Sequence, residues 1–221
     1  MVKPGLALDY AAMMRAALAL HEARNMAGLA PARRDYLADA IAWGEALDRH
    51  HLDPRSGLLA MAANDASDVI MRLAPTADDA IPNAHPVYLC ALVRLAGLTG
   101  DEKWRDRADA LFAAVAPAVR ANMIGHVGIL NALDFRLRAV EIVTVGANRQ
   151  ELYAAALALP FIDRIVLDGD RPETIPHGHP ADSQTKIAGD AAAFVCSGGT
   201  CSLPVRRPQE LLAVMAHRKA G

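Results

Sequence analysis

The sequence predicts a mainly α fold: a partial α/α toroid of helical hairpins over residues 1–138, with a small α/β lobe over residues 139–221. Three observations point there. Wholly apolar helices alternate with amphipathic ones through the first half. The hydrophobic period changes from helical to strand-like at Ala139. A polar, turn-rich stretch, Thr76 to Pro86, runs straight into an almost wholly apolar helix.

Leu6 to Glu22 reads as the first helix. Apart from Asp9, Tyr10, Arg15, His21 and Glu22 it is apolar, so it is expected to be buried on all sides. Asn25 to Pro31 reads as a loop. Arg33 to His51 is a second helix with one apolar stripe, Tyr36, Leu37, Ala40, Ile41 and Leu47. Asp53 to Gly57 is a turn, and Leu58 to Ala62 and Val69 to Leu73 read as short extended pieces. The third helix, Val87 to Leu98, has Arg94 as its one charge and is expected to stop at Gly97 and Gly100. Asp101 is placed to cap a fourth, amphipathic helix carrying Trp104, Ala108, Leu111, Phe112 and Val115 at helical spacing. A fifth helix runs from about Ile124 to Leu137. An up-down bundle needs four similar amphipathic helices; alternation of buried and amphipathic helices suits a double-layered ring.

Beyond Ala139, Val140 to Gly146 is a β-branched strand. Asn148 with Glu151 spells a capping box for a helix to about Leu159. Arg164 to Leu167 is a second strand, parallel to the first because a helix links them. Gly169 to Gly189 is a long loop. Ala192 to Cys196 is a third strand, Ser197 to Gly199 a turn, and Pro208 to His217 a closing helix.

Composition excludes several classes of function. With 53% hydrophobic and 22% charged residues the chain is globular rather than disordered. A net charge of -2 without a basic cluster argues against a nucleic-acid partner. The apolar run Ala11 to Leu20 is broken by Arg15 and too short to span a bilayer, so no membrane partner is expected. Met1 to Gly5 has no apolar leader run. Three cysteines do not make a disulfide scaffold. A cytoplasmic protein is the expectation.

The stretch Thr76 to Pro86 reads as a rim loop at a cavity mouth. Asp78, Asp79 and His85 are candidate catalytic groups there, with Asp9 as a further carboxylate on the same rim; Tyr10 and Asn83 are candidate substrate contacts. Carboxylates so placed act as general acid or base, or bind sugar hydroxyls. The same residue types also cap helices and fix turns, which leaves a purely structural role open. Cys196 and Cys201 flank a Gly-Gly turn, and three readings compete: packed thiols, a local disulfide with a redox role, or half of a zinc site. Zinc needs four ligands and the chain has no second cysteine pair, so no metal and no cofactor are expected.

These motifs together resemble a known family. Leu8-Asp-Tyr-Ala11, Asp78-Asp-Ala-Ile-Pro82, Leu95-Ala-Gly-Leu-Thr-Gly-Asp101 and Glu141-Ile-Val-Thr-Val-Gly146 occur in the order found in the thioredoxin-domain-containing, spermatogenesis-associated protein 20-like family. So does Ala193-Phe-Val-Cys196 with Cys201 and Pro204. The rim departs from the family pattern, with Asn83-Ala-His-Pro86 where a Ser-Gly-Asn-Ser is usual, and the family's thioredoxin-like domain is absent. The resemblance implies a toroid similar to six-hairpin glycosidases and N-acylglucosamine 2-epimerases, hence a sugar-like small-molecule ligand and carbohydrate-processing or carbohydrate-binding activity. The alternatives are a non-catalytic binding or scaffold module and a thiol-redox accessory protein. Half a ring leaves the flanks of Leu6–Leu20 and Val87–Leu98 without neighbours, so the chain is expected to form a homodimer or to meet a missing partner chain.

Overall fold

The computed structural model describes residues 5–24, 26, 34–160, 163–169, 174–182 and 191–220. The loop expected over Asn25 to Pro31 lies almost wholly outside the described residues, as do Met1 to Pro4 and much of the stretch from Gly169 to Gly189. The fold is mainly helical with one four-stranded sheet. It divides into two compact units. One holds residues up to His21, Arg34–Ala96 and Asp101–Arg136; the other holds the chain from Leu137 onward together with Glu22 and the segment Gly97–Gly100.

The helical unit contains α1 (Ala7–Ala23), α2 (Tyr36–His50), α3 (Ala84–Thr99), α4 (Glu102–Ala121) and α5 (Val127–Arg138), the last entered through a 3-10 turn at Ile124–His126. Helix α2 begins at Tyr36, the first residue of its apolar stripe and three residues after the expected start at Arg33. The reason is Asp35, whose carboxylate accepts hydrogen bonds from the Leu37 and Ala38 N–H groups at 3.1 Å each and so sets the first turn. Asp101 caps α4 as expected, accepting from Lys103 N–H at 3.0 Å. Gly97 does not end α3, which runs to Thr99. A side chain at Gly97 would come within 2.6 Å of the Ile165 side chain, so this glycine permits a close approach, and Gly100, at φ +67°, makes the stop.

The core of this unit is mostly aliphatic: Met14, Leu18, Leu47, Leu59, Leu89, Leu92, Leu95 and Leu111 are fully buried, together with Tyr88. Each such side chain contributes about 1.5–3 kcal/mol relative to leaving it in water. Helix α3 is covered on all sides, with the Arg94 guanidinium lying 5.3 Å from the Phe135 ring centre. Helix α1 is not, contrary to the sequence reading. Ala7, Ala11, Met14, Ala17 and Leu18 are buried, while Leu6, Met13 and Leu20 stand about half exposed along the opposite side. At Gly44 the packing is close: the α2 backbone approaches the Met14 side chain and the Trp104 ring so that an added Cβ would lie 3.3 Å from each.

The second unit is a sheet in the order β2-β1-β3-β4, with β1 (Val140–Val145), β2 (Arg164–Gly169), β3 (Ala192–Ser197) and β4 (Thr200–Cys201). Strands β1 and β2 are parallel, with Ile142 opposite Val166, and α6 (Gln150–Ala158) forms the crossover. Strand β3 joins the other side of β1 antiparallel, with Ile142 opposite Val195. The core packs Val140, Ile142, Leu152, Tyr153, Ala156, Val166 and Val195 with Leu211 and Met215 of α7 (Pro208–Ala220). The capping box expected at Asn148 is not formed. Arg149 occupies the cap position with no side-chain cap bond. Its guanidinium instead pairs with Asp168, giving 3.1 Å from Nη2 to Oδ2, and donates to the Gly146 carbonyl at 3.2 Å. Glu22 closes the β2 edge, its carboxylate accepting from Val166 N–H at 2.8 Å.

Candidate functional site

The stretch from Pro75 to Asn83 is irregular and runs into His85 in the first turn of α3, yet it is held at four places. The Thr76 hydroxyl meets the His126 Nε2 at 3.0 Å. Asp78 is tied twice to the joint before α5: its N–H donates to the Gly125 carbonyl at 2.8 Å, and its carboxylate accepts from Gly128 N–H at 2.7 Å. The Asn83 amide donates to the Pro75 and Ala77 carbonyls at 2.9 and 3.0 Å, while its Oδ1 accepts from His85 N–H at 2.9 Å and so starts α3 at Ala84. The His85 ring receives Leu59 N–H at Nε2, 3.0 Å away.

That last bond settles the state of His85. An imidazole nitrogen facing an N–H must be unprotonated, so the ring proton sits on Nδ1, 2.9 Å from Asn83 Oδ1. Burial, reinforced by the positive charge of Arg107 and by the neighbouring His126, pushes the pKa down to about 4. With both ring nitrogens engaged and the ring 1% exposed, His85 has no proton-transfer site open to a ligand. It works as a clamp between the rim and the extended piece at Leu59.

Beside this clamp lies a cavity of about 290 Å3. Its wall consists of Leu6, Ala7 and Leu8 from the start of α1, Leu59 and Met61 from the extended piece, and the rim from Pro75 to His85. Asp79, Asn83 and His85 therefore converge on one pocket, and Asp78, Asp9 and Tyr10 are not among its lining residues. The Asp9 carboxylate turns back to accept Leu6 N–H at 2.8 Å, a bond that organises the first turn of α1. The Tyr10 ring rests 5.4 Å from the His51 ring. Asp79 is exposed, and its Oδ1 accepts from the adjacent Ala80 N–H at 2.7 Å. The cavity thus offers one carboxylate against an apolar wall that contains no Phe, Tyr or Trp.

The signal that sequence reading lacked was the apolar half of this wall. Leu6, Leu8, Leu59 and Met61 look like ordinary core residues until the chain brings them against the rim. His126, buried between Thr76 and the Asn122 carbonyl, is also invisible as a rim partner from 50 residues away. Cys196 and Cys201 belong to the sheet unit. They are opposite each other in the β3–β4 register, with Cα atoms 4.0 Å apart, and are joined by a disulfide. Joined in this way they are not zinc ligands, and among the described residues no group of three or more His, Cys, Asp or Glu is arranged to hold a metal ion. No described helix is long and apolar enough to cross a membrane.

Fold and site together define a mainly helical protein with an apolar, singly charged cavity beside a clamped rim. No family model matches the chain. Three curated proteins resemble it at a distance. Spermatogenesis-associated protein 20 of Homo sapiens is 26% identical over 216 residues, and its counterparts in Rattus norvegicus and Mus musculus are 26% and 24% identical over the same length. Each alignment covers 94% of this chain, and the chain spans about a quarter of the length of these relatives, 26–27%.

Proposed function

We propose that this chain is a binding module rather than a catalyst, and that its ligand is an apolar group with a positively charged end. The observation that carries this reading is the makeup of the cavity: apolar side chains from three segments surround a single carboxylate, that of Asp79. Carbohydrate processing of the glycosidase kind needs two carboxyl groups across one site. Here Asp9 and Asp78 spend their carboxylates on backbone N–H groups, and His85 is neutral and engaged. A sugar would also find no aromatic platform in the wall. At about 290 Å3 the space lies at the small end of ligand pockets, which suits a short alkyl chain or one side chain of a peptide.

The same reading takes α1 to α4 as two helical hairpins of a toroid-like array. Support comes from α3, covered on every side, and from α2 and α4, each burying one face only.

The test is a titration followed by backbone NMR, with linear alkylamines against alkyl carboxylates of the same length. Amines should perturb the Leu6–Leu8 and Pro75–His85 amides and bind roughly 3- to 10-fold more tightly than the acids, the scale of one exposed charge pair. Asp79→Asn should erase the preference while leaving the fold intact. Equal affinity for both series, or perturbation confined to other residues, would place the ligand site elsewhere.

A further inference from the structure

We infer that the Cys196–Cys201 disulfide is a redox-active pair that exchanges two electrons with a dithiol, Cys201 being the sulfur attacked and Glu141 the proton carrier for Cys196. This is an activity of the sheet unit and does not rest on the cavity reading. The observation is a row of reactive groups on one face of the sheet. Cys196 is the antiparallel partner of Cys201 on one side and of Glu141 on the other. Directly opposed residues of neighbouring strands project to the same face, with Cβ atoms about 5 Å apart. The two sulfurs and the carboxyl group therefore lie in line across β4, β3 and β1. Glu141 is held in place: His179 Nδ1 accepts Ala181 N–H at 3.0 Å, so the ring proton sits on Nε2 and is donated to Glu141 Oε2 at 2.8 Å. The Glu141 side chain keeps 27% of its surface exposed, an outlet for a proton to water.

The hairpin holds without the covalent bond. Gly198 and Gly199, at φ +56° and +79°, form the tight two-residue turn. Ser202 N–H donates to the Val195 carbonyl at 2.9 Å, and Ser202 Oγ accepts Val195 N–H at 3.1 Å, which fixes the register beside the disulfide. A cross-link between residues five apart closes a very short loop, where it constrains the unfolded chain least. The two sulfurs also differ in access. Cys196 is 1% exposed, while Cys201 on the edge strand is only partly buried. An incoming thiolate therefore bonds to Cys201 Sγ; the Cys196–Cys201 bond breaks, and Cys196 leaves with the electron pair. A buried thiolate is costly, so Cys196 takes a proton through Glu141, which draws it from water. The second thiolate of the dithiol attacks the sulfur its own molecule placed in the mixed disulfide, and Cys201 is released and protonated by water. The dithiol ends as a disulfide, two electrons and two protons poorer, and the pair ends as two thiols. A monothiol is disfavoured, because Cys196 beside the mixed disulfide expels it. In reverse, Glu141 takes the Cys196 proton as that sulfur attacks the mixed disulfide at Cys201.

The whole chain is treated with dithiothreitol, or with glutathione at equal thiol concentration, then alkylated and mapped by peptide mass. Dithiothreitol should open the pair with circular dichroism unchanged, and glutathione should open it at least ~10-fold less well. In Cys196→Ser, Cys201 should form a mixed disulfide with glutathione disulfide; in Cys201→Ser, Cys196 should do so at least ~10-fold more slowly. The reduced chain of Glu141→Gln, mixed with glutathione disulfide, should accumulate the Cys201–glutathione adduct, its resolution slowed about 100-fold. His179→Ala, which removes only the positioning residue, should hold the same adduct and tests the relay separately; a purely structural role would not stall the reaction there. A disulfide that opens only once urea has unfolded the chain overturns the inference. So does a Cys196 that reacts faster than Cys201. Resolution at the natural rate in both relay variants, or faster in Glu141→Gln as for a carboxylate that only repels a thiolate, overturns the role of Glu141.

Discussion

The helical unit and the sheet unit bury their polar side chains by different means. Among the described residues, the deeply buried polar ones of the helical unit are His51, His85 and His126. Among the described residues of the sheet unit they are Glu22, Thr144, Arg149 and Asp163. A buried imidazole avoids the cost of desolvating a charge by staying neutral, and its two nitrogens then serve as one donor and one acceptor. Two of the helical-unit histidines join segments far apart in sequence, His85 with Leu59 N–H and His126 with Thr76, while His51 Nδ1 meets the Ala60 carbonyl nine residues on. In the sheet unit Arg149 and Glu22 are instead held by specific partners. Arg149 faces Asp168 through a two-pronged bond, and Glu22 accepts a strand N–H. The first device responds to pH in the range where histidine titrates; the second responds to loss of either partner.

The comparison is broken most severely by removing one member of the charge pair. Asp168→Ala leaves the Arg149 guanidinium, 9% exposed, without its carboxylate, and should cost about 4 kcal/mol in urea unfolding. If the loss is below about 1 kcal/mol, the pair is not the support of the sheet unit that its burial implies.

The histidine device predicts a pH dependence of definite sign. His85 titrates at about 4 in the folded chain and near 6.5 when unfolded. Between those values the unfolded chain binds the extra proton, so stability is full above pH 6.5 and falls as pH drops toward 4, by on the order of 3 kcal/mol. Burial shifts His51 in the same direction, so it adds to the trend. The unfolding midpoint measured across this window should fall with acid, and His85→Gln should flatten the curve. An unchanged slope in the variant would show that other groups carry it.

Neighbouring methionines sharpen the contrast within the helical unit. Met14 is fully buried and Met13 is half exposed. Met14→Ala should destabilise by about 3 kcal/mol, whereas Met13→Ala should stay within about 0.5 kcal/mol for the monomer. Similar losses at both would mean that α1 is covered on both sides.

The smallest effect belongs to Asp78. Its carboxylate caps the start of α5, so Asp78→Ala should lower stability by about 1–2 kcal/mol and leave amine binding at Asp79 unchanged. Loss of binding with unchanged stability would return Asp78 to the ligand site.

Much of the architecture was legible because it is written at short range. The β-branched run Val140 to Val145, the crossover helix and the strand at Arg164 follow from local period and from the handedness and length rules of parallel pairing, and the register bears them out. Asp101 caps α4 because a cap needs only the next two or three residues. Three things were decided by tertiary structure alone. Whether an apolar helix is covered on one side or all round depends on how many neighbours reach it, and Leu6 to Leu20 reads the same either way. Which carboxylate is spent on a backbone N–H depends on distant partners: Asp78 looks free until Gly128 arrives 50 residues later, while Asp79 beside it stays open to the cavity. The protonation state of His85 is set by an N–H from Leu59 and by burial, neither of which its own loop encodes. Residue type determines what a side chain can do; packing determines which of those capacities is left for a ligand.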